Sequence, residues 1–369
     1  MRIYLIGAGV ISRTHAETAA KLGEEIELRV ADPNPIAMAE FLKQFPGVPS
    51  YTNASDMLNA EAPQDDDIVI VGTPPFAHLE PALLSLQSGR HVLCEKPLAM
   101  NNQEAELMLE AARKAGKLLG CCSVRFKGMH HNETVKQIIR SGQLGDIYHA
   151  TWVNKWARSR SGIEYQAASR WFLDSARSGG GVMMDWGPYD IAMMHDMLEP
   201  ETVEVSGAWL SKPETAIDPS DTTFDVETHV GALMTFRGGV DGSRPIAVHY
   251  ERASCAHGDE YVKVEIEGTR GSVKWTPFDS RQPVYIRYDR DGHVVEEEVP
   301  LPPRSPYTIM DHPLVHFHRK VRGLPSLANV GERAVDLFRH LQSVYASART
   351  GQSQVTSIHP ADKEEEAEA

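Results

Sequence analysis

Hydrophobic and polar positions follow two periods in the first part of the chain. Short continuous runs of apolar, β-favouring residues occur at 3–6, 26–30, Ile68–Val71, His91–Cys94 and 118–124. Between them lie stretches of helical periodicity, over 10–22, 35–45, 55–60, 75–88 and Asn102–Ala115. Asn101 or Asn102 supplies an N-cap for the last of these, and Gly116 a C-terminal stop. Strand and helix in alternation predict a parallel sheet with helices on both faces.

The pattern changes after residue 125. Helices are expected over 132–139 and 185–198, the second after a flexible Ser178-Gly179-Gly180-Gly181 run. From 203 to 298 the chain is strand-like. Segments such as THVGALMTF, PIAVHYERA and EYVKVEIEG alternate and are broken by Gly, Pro and Asp, as in an antiparallel or mixed sheet. A last helix over 331–349 closes the fold, and the end, ADKEEEAEA, reads as a solvated acidic run. The fold class is therefore α/β. A doubly wound parallel sheet is expected over 1–125, an α+β domain over 126–350, and an acidic, disordered tail over 351–369. A length of 369 residues agrees with two domains.

Composition narrows the partners. With 37 basic and 51 acidic residues the net charge is -14, which argues against nucleic acid. No apolar run approaches a membrane span, and MRIYLIGAGV reads as a first strand rather than a signal peptide. The four cysteines show no C-x-x-C spacing, so buried free thiols in a reducing cytoplasm are expected.

The first strand runs into Gly7-Ala8-Gly9-Val10-Ile11-Ser12, one step from the dinucleotide fingerprint. Gly7 permits the tight turn, Gly9 lets a pyrophosphate approach the backbone, and Val10 and Ile11 open the helix that receives it. Ser12 stands where a third glycine packs helix against strand. Asp32 follows the second strand, where a carboxylate meets the ribose hydroxyls and repels a 2′-phosphate. NAD is therefore expected over NADP. Thr73 and Pro74 end the third apolar run and border the nicotinamide side, since ligands sit beyond the carboxyl ends of parallel strands. His78 is either a cofactor-side residue or a capping histidine. Glu95-Lys96-Pro97 ends the His91–Cys94 run, so Lys96 is presented into a ligand crevice, and Pro97 stiffens the presentation.

These segments resemble one family. GAGVIS-x-x-H (from Gly7 to His15), GTPPFAH (from Gly72 to His78) and GRHVLCEKPLAM (from Gly89 to Met100) look like the glucose–fructose oxidoreductase/inositol dehydrogenase family, Gfo/Idh/MocA. VRFKG, IIRSGQLGDI, SGGGVMMDWGPYD and IEGTRGSVKW continue the resemblance to about residue 350. It implies a Rossmann domain followed by a domain with a large open, mostly antiparallel mixed sheet. It also implies NAD(P)-dependent hydride transfer at a hydroxyl or carbonyl of a sugar, cyclitol or related polyol, in a homodimer or homotetramer. Lys96 and Glu95 then lie beside cofactor and substrate. The family's D-x-x-x-H element maps its aspartate onto Asp185 and its histidine onto Tyr189. An i,i+4 spacing places the two on one helix face. Either Tyr189 or Lys96 carries the proton, and a nearby ammonium would lower a tyrosine pKa from about 10.

Three further residues are candidates. Arg125 either holds substrate hydroxyls or forms an ion pair between domains. Trp152 shares a strand face with Asn154 and Trp156, suited to a sugar ring or to a core. Trp186, beside Asp185, suits a pocket wall. His130-His131 and His195-Asp196 have no third ligand at a supporting spacing, so no metal is expected. Two other readings remain open: a tightly held NAD working in a closed redox cycle, as in oxidoisomerases or glycosidases, and a non-catalytic sensor with the same fold.

Overall fold

The structure is a computed structural model that describes residues 1–23, 25–240, 242 and 244–359. The chain opens with β1 (Arg2–Ile6), α1 (Val10–Ala19), β2 (Glu27–Ala31), α2 (Pro35–Gln44), β3 (Ser50–Tyr51) and α3 (Ala54–Asn59). It continues with β4 (Ile68–Val71), α4 (Leu79–Gln87), β5 (His91–Cys94), α5 (Asn102–Ala115) and β6 (Leu119–Cys121). Next come α6 (His130–Arg140), β7 (Ile147–Lys155), α7 (Ser175–Ser178), α8 (Val182–Asp185) and α9 (Gly187–Leu198). A run of strands follows: β8 (Thr202–Ser211), β9 (His229–Arg237), β10 (Ile246–Ala253), β11 (Tyr261–Gly268), β12 (Gly271–Trp275), β13 (Val284–Arg290) and β14 (His293–Val299). The last elements are α10 (His312–Val321), β15 (Asn329–Val330), α11 (Gly331–Thr350) and β16 (Gln354–Ser357).

Local signals explain several boundaries. Asn101 caps α5 by accepting the Glu104 N–H at 3.0 Å, and Gly116 ends that helix at φ 61°. Asn34 caps α2, with Pro35 in the first turn. β1 and β4 are buried along their whole length, as strands covered on both faces must be, and this is why they read as unbroken apolar runs.

The molecule divides into two units. The first holds residues 1–125 and Tyr307–Phe338, and the second holds Phe126–Pro306 and 339–359. The segment around α10 was expected with the second half of the chain and instead belongs to the first unit. Leu314 and Phe317 of α10 enter the core cluster of Ile3, Leu5, Val30, Ile68 and Leu93. The Phe317 ring lies where a Cβ on Gly120 would meet it at 2.6 Å. Burying one such ring is worth about 1.5–3 kcal/mol, and no short-range signal in the sequence announces that pairing.

The first sheet has the order β15-β6-β5-β4-β1-β2-β3. Its strands are parallel except for β15, which pairs antiparallel with β6. The order reverses between β1 and β4, the switch point at which doubly wound sheets bind ligands. The second sheet has the order β14-β13-β12-β11-β7-β10-β9-β8-β16 and is antiparallel apart from the β7–β10 pair. α8 packs on β9 and β10, and every residue of α9 is buried. Part of the expected tail is a strand: β16 pairs with β8, so residues 354–357 complete the sheet edge. The acidic run at 361–369 lies outside the described residues.

Candidate functional site

In the first unit, the loop after β1 is shaped by steric need. Gly7 takes φ 98°, and a Cβ there would also meet the Gly72 carbonyl oxygen at 3.0 Å. α1 then begins at Gly9 with no side-chain cap, and a Cβ on Gly9 would meet nothing within 4 Å. The start of α1 thus combines open space with amide groups that no side chain caps. That is the arrangement by which a helix start receives a pyrophosphate, and Val10 and Ile11 lie in its first turn. Ser12 is fully buried and packs against Gly72, whose Cβ would overlap its hydroxyl. The small residue expected at this point is required there.

Asp32 stands at the end of β2. Its Oδ2 accepts the Ala8 N–H and its Oδ1 the Asn34 N–H, each at 2.7 Å. The carboxylate therefore braces the glycine loop, and each oxygen keeps a second lone pair for a hydroxyl donor. Thr73 donates its hydroxyl to Ala77 O at 2.8 Å, and Pro74 precedes a short 3₁₀ turn. His78, read as either a cofactor-side or a capping residue, stands at the N-cap of α4 without a side-chain cap bond. It is fully buried, with Nδ1 3.0 Å from Pro97 O and Nε2 2.8 Å from Thr73 O. Burial lowers its pKa, so a neutral ring braces the loops that follow β4 and β5.

Glu95 and Lys96 follow β5. Lys96 is half-buried, and its peptide to Pro97 is cis. The Glu95 carboxylate is enclosed in the unit. Its Oε1 accepts from His15 Nε2 at 3.0 Å and from Arg125 Nη2 at 3.2 Å, and its Oε2 accepts the Lys96 N–H at 3.1 Å. Burial works to raise its pKa. The Arg125 charge, the His15 hydrogen bond and the Lys96 charge outweigh burial and hold it well below the usual carboxylate range. Arg125, for which a substrate contact or an ion pair between domains was expected, is thus paired inside the first unit. His15, Glu95 and Cys122 place three metal-ligand types within 4.8 Å of one another. Within the trio, His15 Nε2 lies 3.0 Å from Glu95 Oε1 and 4.0 Å from Cys122 Sγ.

In the second unit, the helix expected over 185–198 is two helices. α8 ends at Asp185, Trp186 forms the joint, and α9 starts at Gly187. Pro188 has no N–H to offer the Met184 carbonyl, so one helix cannot run through. Asp185 and Tyr189 therefore flank a joint and do not share a continuous helix face. Asp185 Oδ2 accepts from the Ser161 hydroxyl at 2.5 Å. Tyr189 is buried, its ring centroid 5.4 Å from Phe126 and 5.9 Å from Trp186.

The structure adds a group around Asp190. Asp190 accepts from Trp152 Nε1 at 2.9 Å, Tyr250 Oη at 2.9 Å, and Arg252 Nε and Nη2 at 2.8 and 2.5 Å. The Arg252 guanidinium also lies 5.0 Å from the Trp186 ring and 4.9 Å from Phe278. Trp152 is accordingly a core residue, 1% exposed, rather than a sugar-facing ring. Trp186 keeps partial exposure beside Asp185. Ser161, Asp190, Arg252 and His15 were not singled out from the sequence. For Arg252 a signal existed: it shares strand parity with Ile246, Val248 and Tyr250, and a charge on a buried face needs a buried partner.

Comparison with known proteins identifies the family and the fold. The profile of an oxidoreductase family with an NAD-binding Rossmann fold, GFO/IDH/MocA, matches residues 1–126, and that family's C-terminal domain matches residues 132–274. The chain belongs to this family of oxidoreductases. It is 26% identical over 298 residues to the 1,5-anhydro-D-fructose reductase of Ensifer adhaerens, covering 78% of this chain and 79% of the relative. It is 23% identical over 316 residues to the levoglucosan dehydrogenase of Pseudarthrobacter phenanthrenivorans, covering 79% and 77%. A solved structure of levoglucosan dehydrogenase in complex with NADH superposes with a TM-score of 0.76 at 20% identity, covering 97% of this chain and all of that one.

Proposed function

We propose that the protein is an NAD-dependent dehydrogenase or reductase acting on a hydroxyl or carbonyl group of a sugar, cyclitol or sugar derivative. The observation that carries this reading is the pairing, within one unit, of an open, uncapped helix start at Gly9 with Lys96 at the carboxyl end of β5. The names of the relatives support a sugar or anhydrosugar as the substrate class.

Bound NAD supplies the hydride acceptor, or NADH the donor. The amides at the start of α1 hold the pyrophosphate, and Asp32 takes the ribose hydroxyls and disfavours a 2′-phosphate. The Lys96 ammonium polarises the reacting oxygen and stabilises charge that develops on it. The proton moves at Lys96 Nζ or Tyr189 Oη, and Asp185, steadied by Ser161, binds a neighbouring hydroxyl. The reading also includes assembly of copies through the outer face of the second sheet. Trp209, Leu233 and Val355 are 45%, 61% and 67% exposed there, and their cross-strand partners place them on one face. Four free cysteines, all buried, suit a reducing cytoplasm.

The test is near-ultraviolet absorbance of NADH with NAD or NADP and a panel of sugars, anhydrosugars, inositols and sugar acids. Substrate-dependent NADH formation that disappears in Lys96→Ala supports the reading. If no panel member reacts, the protein is denatured to look for co-purified NAD: bound cofactor points to a closed redox cycle or a reductase whose carbonyl lies outside the panel, and none weakens the enzymatic reading.

A further inference from the structure

Glu227 lies just before β9 and is almost fully buried. It takes three successive backbone N–H groups at the start of α8. Oε2 accepts from Gly181 at 2.9 Å, the main-chain oxygen from Val182 at 3.1 Å, and Oε1 from Met183 at 3.0 Å. These are amides that a helix start leaves without partners, and α8 has no side-chain cap at Gly181. Oε1 also accepts the Tyr345 hydroxyl at 2.7 Å, which fixes the carboxylate from α11.

The same contacts explain the glycine run before α8. Gly179 ends α7 at φ 81°. A Cβ on Gly180 would overlap the Tyr345 hydroxyl, and a Cβ on Gly181 would overlap the main-chain oxygen of Glu227. The run expected to be flexible is a packed turn, with a steric cause for each glycine. α8 is four residues long and its last residue is Asp185. One helical turn separates the clamp from the acid, so a shift at Gly181 moves Asp185 and Trp186 with it.

We propose that Glu227, held by Tyr345, is a positioning residue for Asp185, and that the Ser178-Gly179-Gly180-Gly181 run exists to let this clamp close. The proposal rests on the reading of Asp185 as a substrate-binding group.

The test compares full-length wild type with Glu227→Gln, Asp185→Asn, the double variant, and Ile246→Val as a buried control in β10. In Glu227→Gln the new NH₂ must face one of the two N–H groups, donor against donor. We expect kcat to fall about 10-fold to 100-fold, with NADH affinity within about twofold. Faster amide exchange is confined to residues 181–186. With Asp185 already replaced, the same change moves kcat by less than about twofold, because the group being positioned is gone. Ile246→Val lowers the melting temperature and leaves kcat in place. A Glu227→Gln enzyme within about twofold of wild type, or an equal loss in both backgrounds, overturns the proposal. Full activity in Asp185→Asn overturns the reading of Asp185 and the proposal with it, a result distinct from the other two. Should Glu227→Gln not fold, Tyr345→Phe keeps both amide contacts, removes one donor, and is held to the same comparison with a smaller loss.

Discussion

Asp190 and Arg252 meet in a two-pronged ion pair that is closed to solvent, with Nε–Oδ2 at 2.8 Å and Nη2–Oδ1 at 2.5 Å. Tyr250 and Trp152 supply two more donors to the same carboxylate, so its oxygens are fully engaged. Removing one member strands a buried charge. Arg252→Ala is expected to destabilise the second unit by about 3–5 kcal/mol in urea unfolding. It also takes the guanidinium away from Trp186, so the intrinsic fluorescence of the folded variant shifts.

Glu95 gives the acid side of the stability profile a definite shape. Its folded pKa lies below the unfolded value of about 4.3. For a depressed carboxylate, the stabilisation is fully present above the unfolded pKa and is lost as pH falls through it toward the folded value. The melting temperature of the wild type is expected to fall below about pH 5. Glu95→Gln is less stable at neutral pH and has a flatter acid limb, so the two curves converge in acid. Parallel curves would show that Glu95 does not set this limb.

Asp32 braces Ala8 and Asn34, and in the proposed reading it also disfavours a 2′-phosphate; a substitution separates the two. Asp32→Ser removes the charge that disfavours a 2′-phosphate, so the ratio of kcat/KM for NADP to that for NAD is expected to rise by about tenfold or more. It also weakens the brace on Ala8 and Asn34, at a cost of about 1–2 kcal/mol of stability. An unchanged cofactor ratio with reduced stability would leave Asp32 only the bracing task.

Leu233 tests the outer face of the second sheet. Leu233→Glu places a charge in the middle of an exposed apolar patch, and light scattering is expected to show a smaller species than the wild type forms. The β9 register is unaffected, because the side chain points away from the core. A wild type that is already monomeric would remove this face from the assembly.

The sequence made the cofactor half legible because its rules are local. A glycine after a buried strand and an asparagine before a helix each act within a few residues, and the acid at the end of the next strand is found by its spacing from the glycine loop. Gly7 and Asn101 stand as those rules require, and Asp32 lies at the end of β2. What stayed hidden depends on partners distant in sequence. Nothing near Glu95 says that its carboxylate meets His15, 80 residues earlier. Nothing near Trp152 says that its indole N–H is taken by Asp190. The single helix drawn through Asp185 failed for a local reason, since Pro188 was there to be read. The glycine run before α8 looked flexible because the groups that crowd it, Glu227 and Tyr345, lie well beyond it in the chain.

The composition of the first unit also dictates an order of events during synthesis. β15 and α10 come from residues 307–338, although the remainder of their unit is finished at residue 125. At the usual elongation speed, about 10 to 40 s pass before the ribosome has supplied them. During that interval the nascent Rossmann sheet has an open edge at β6, and its core lacks Leu314 and Phe317. The hazard of mispairing in the cell therefore falls on the nascent chain, at a strand edge that the finished protein no longer presents.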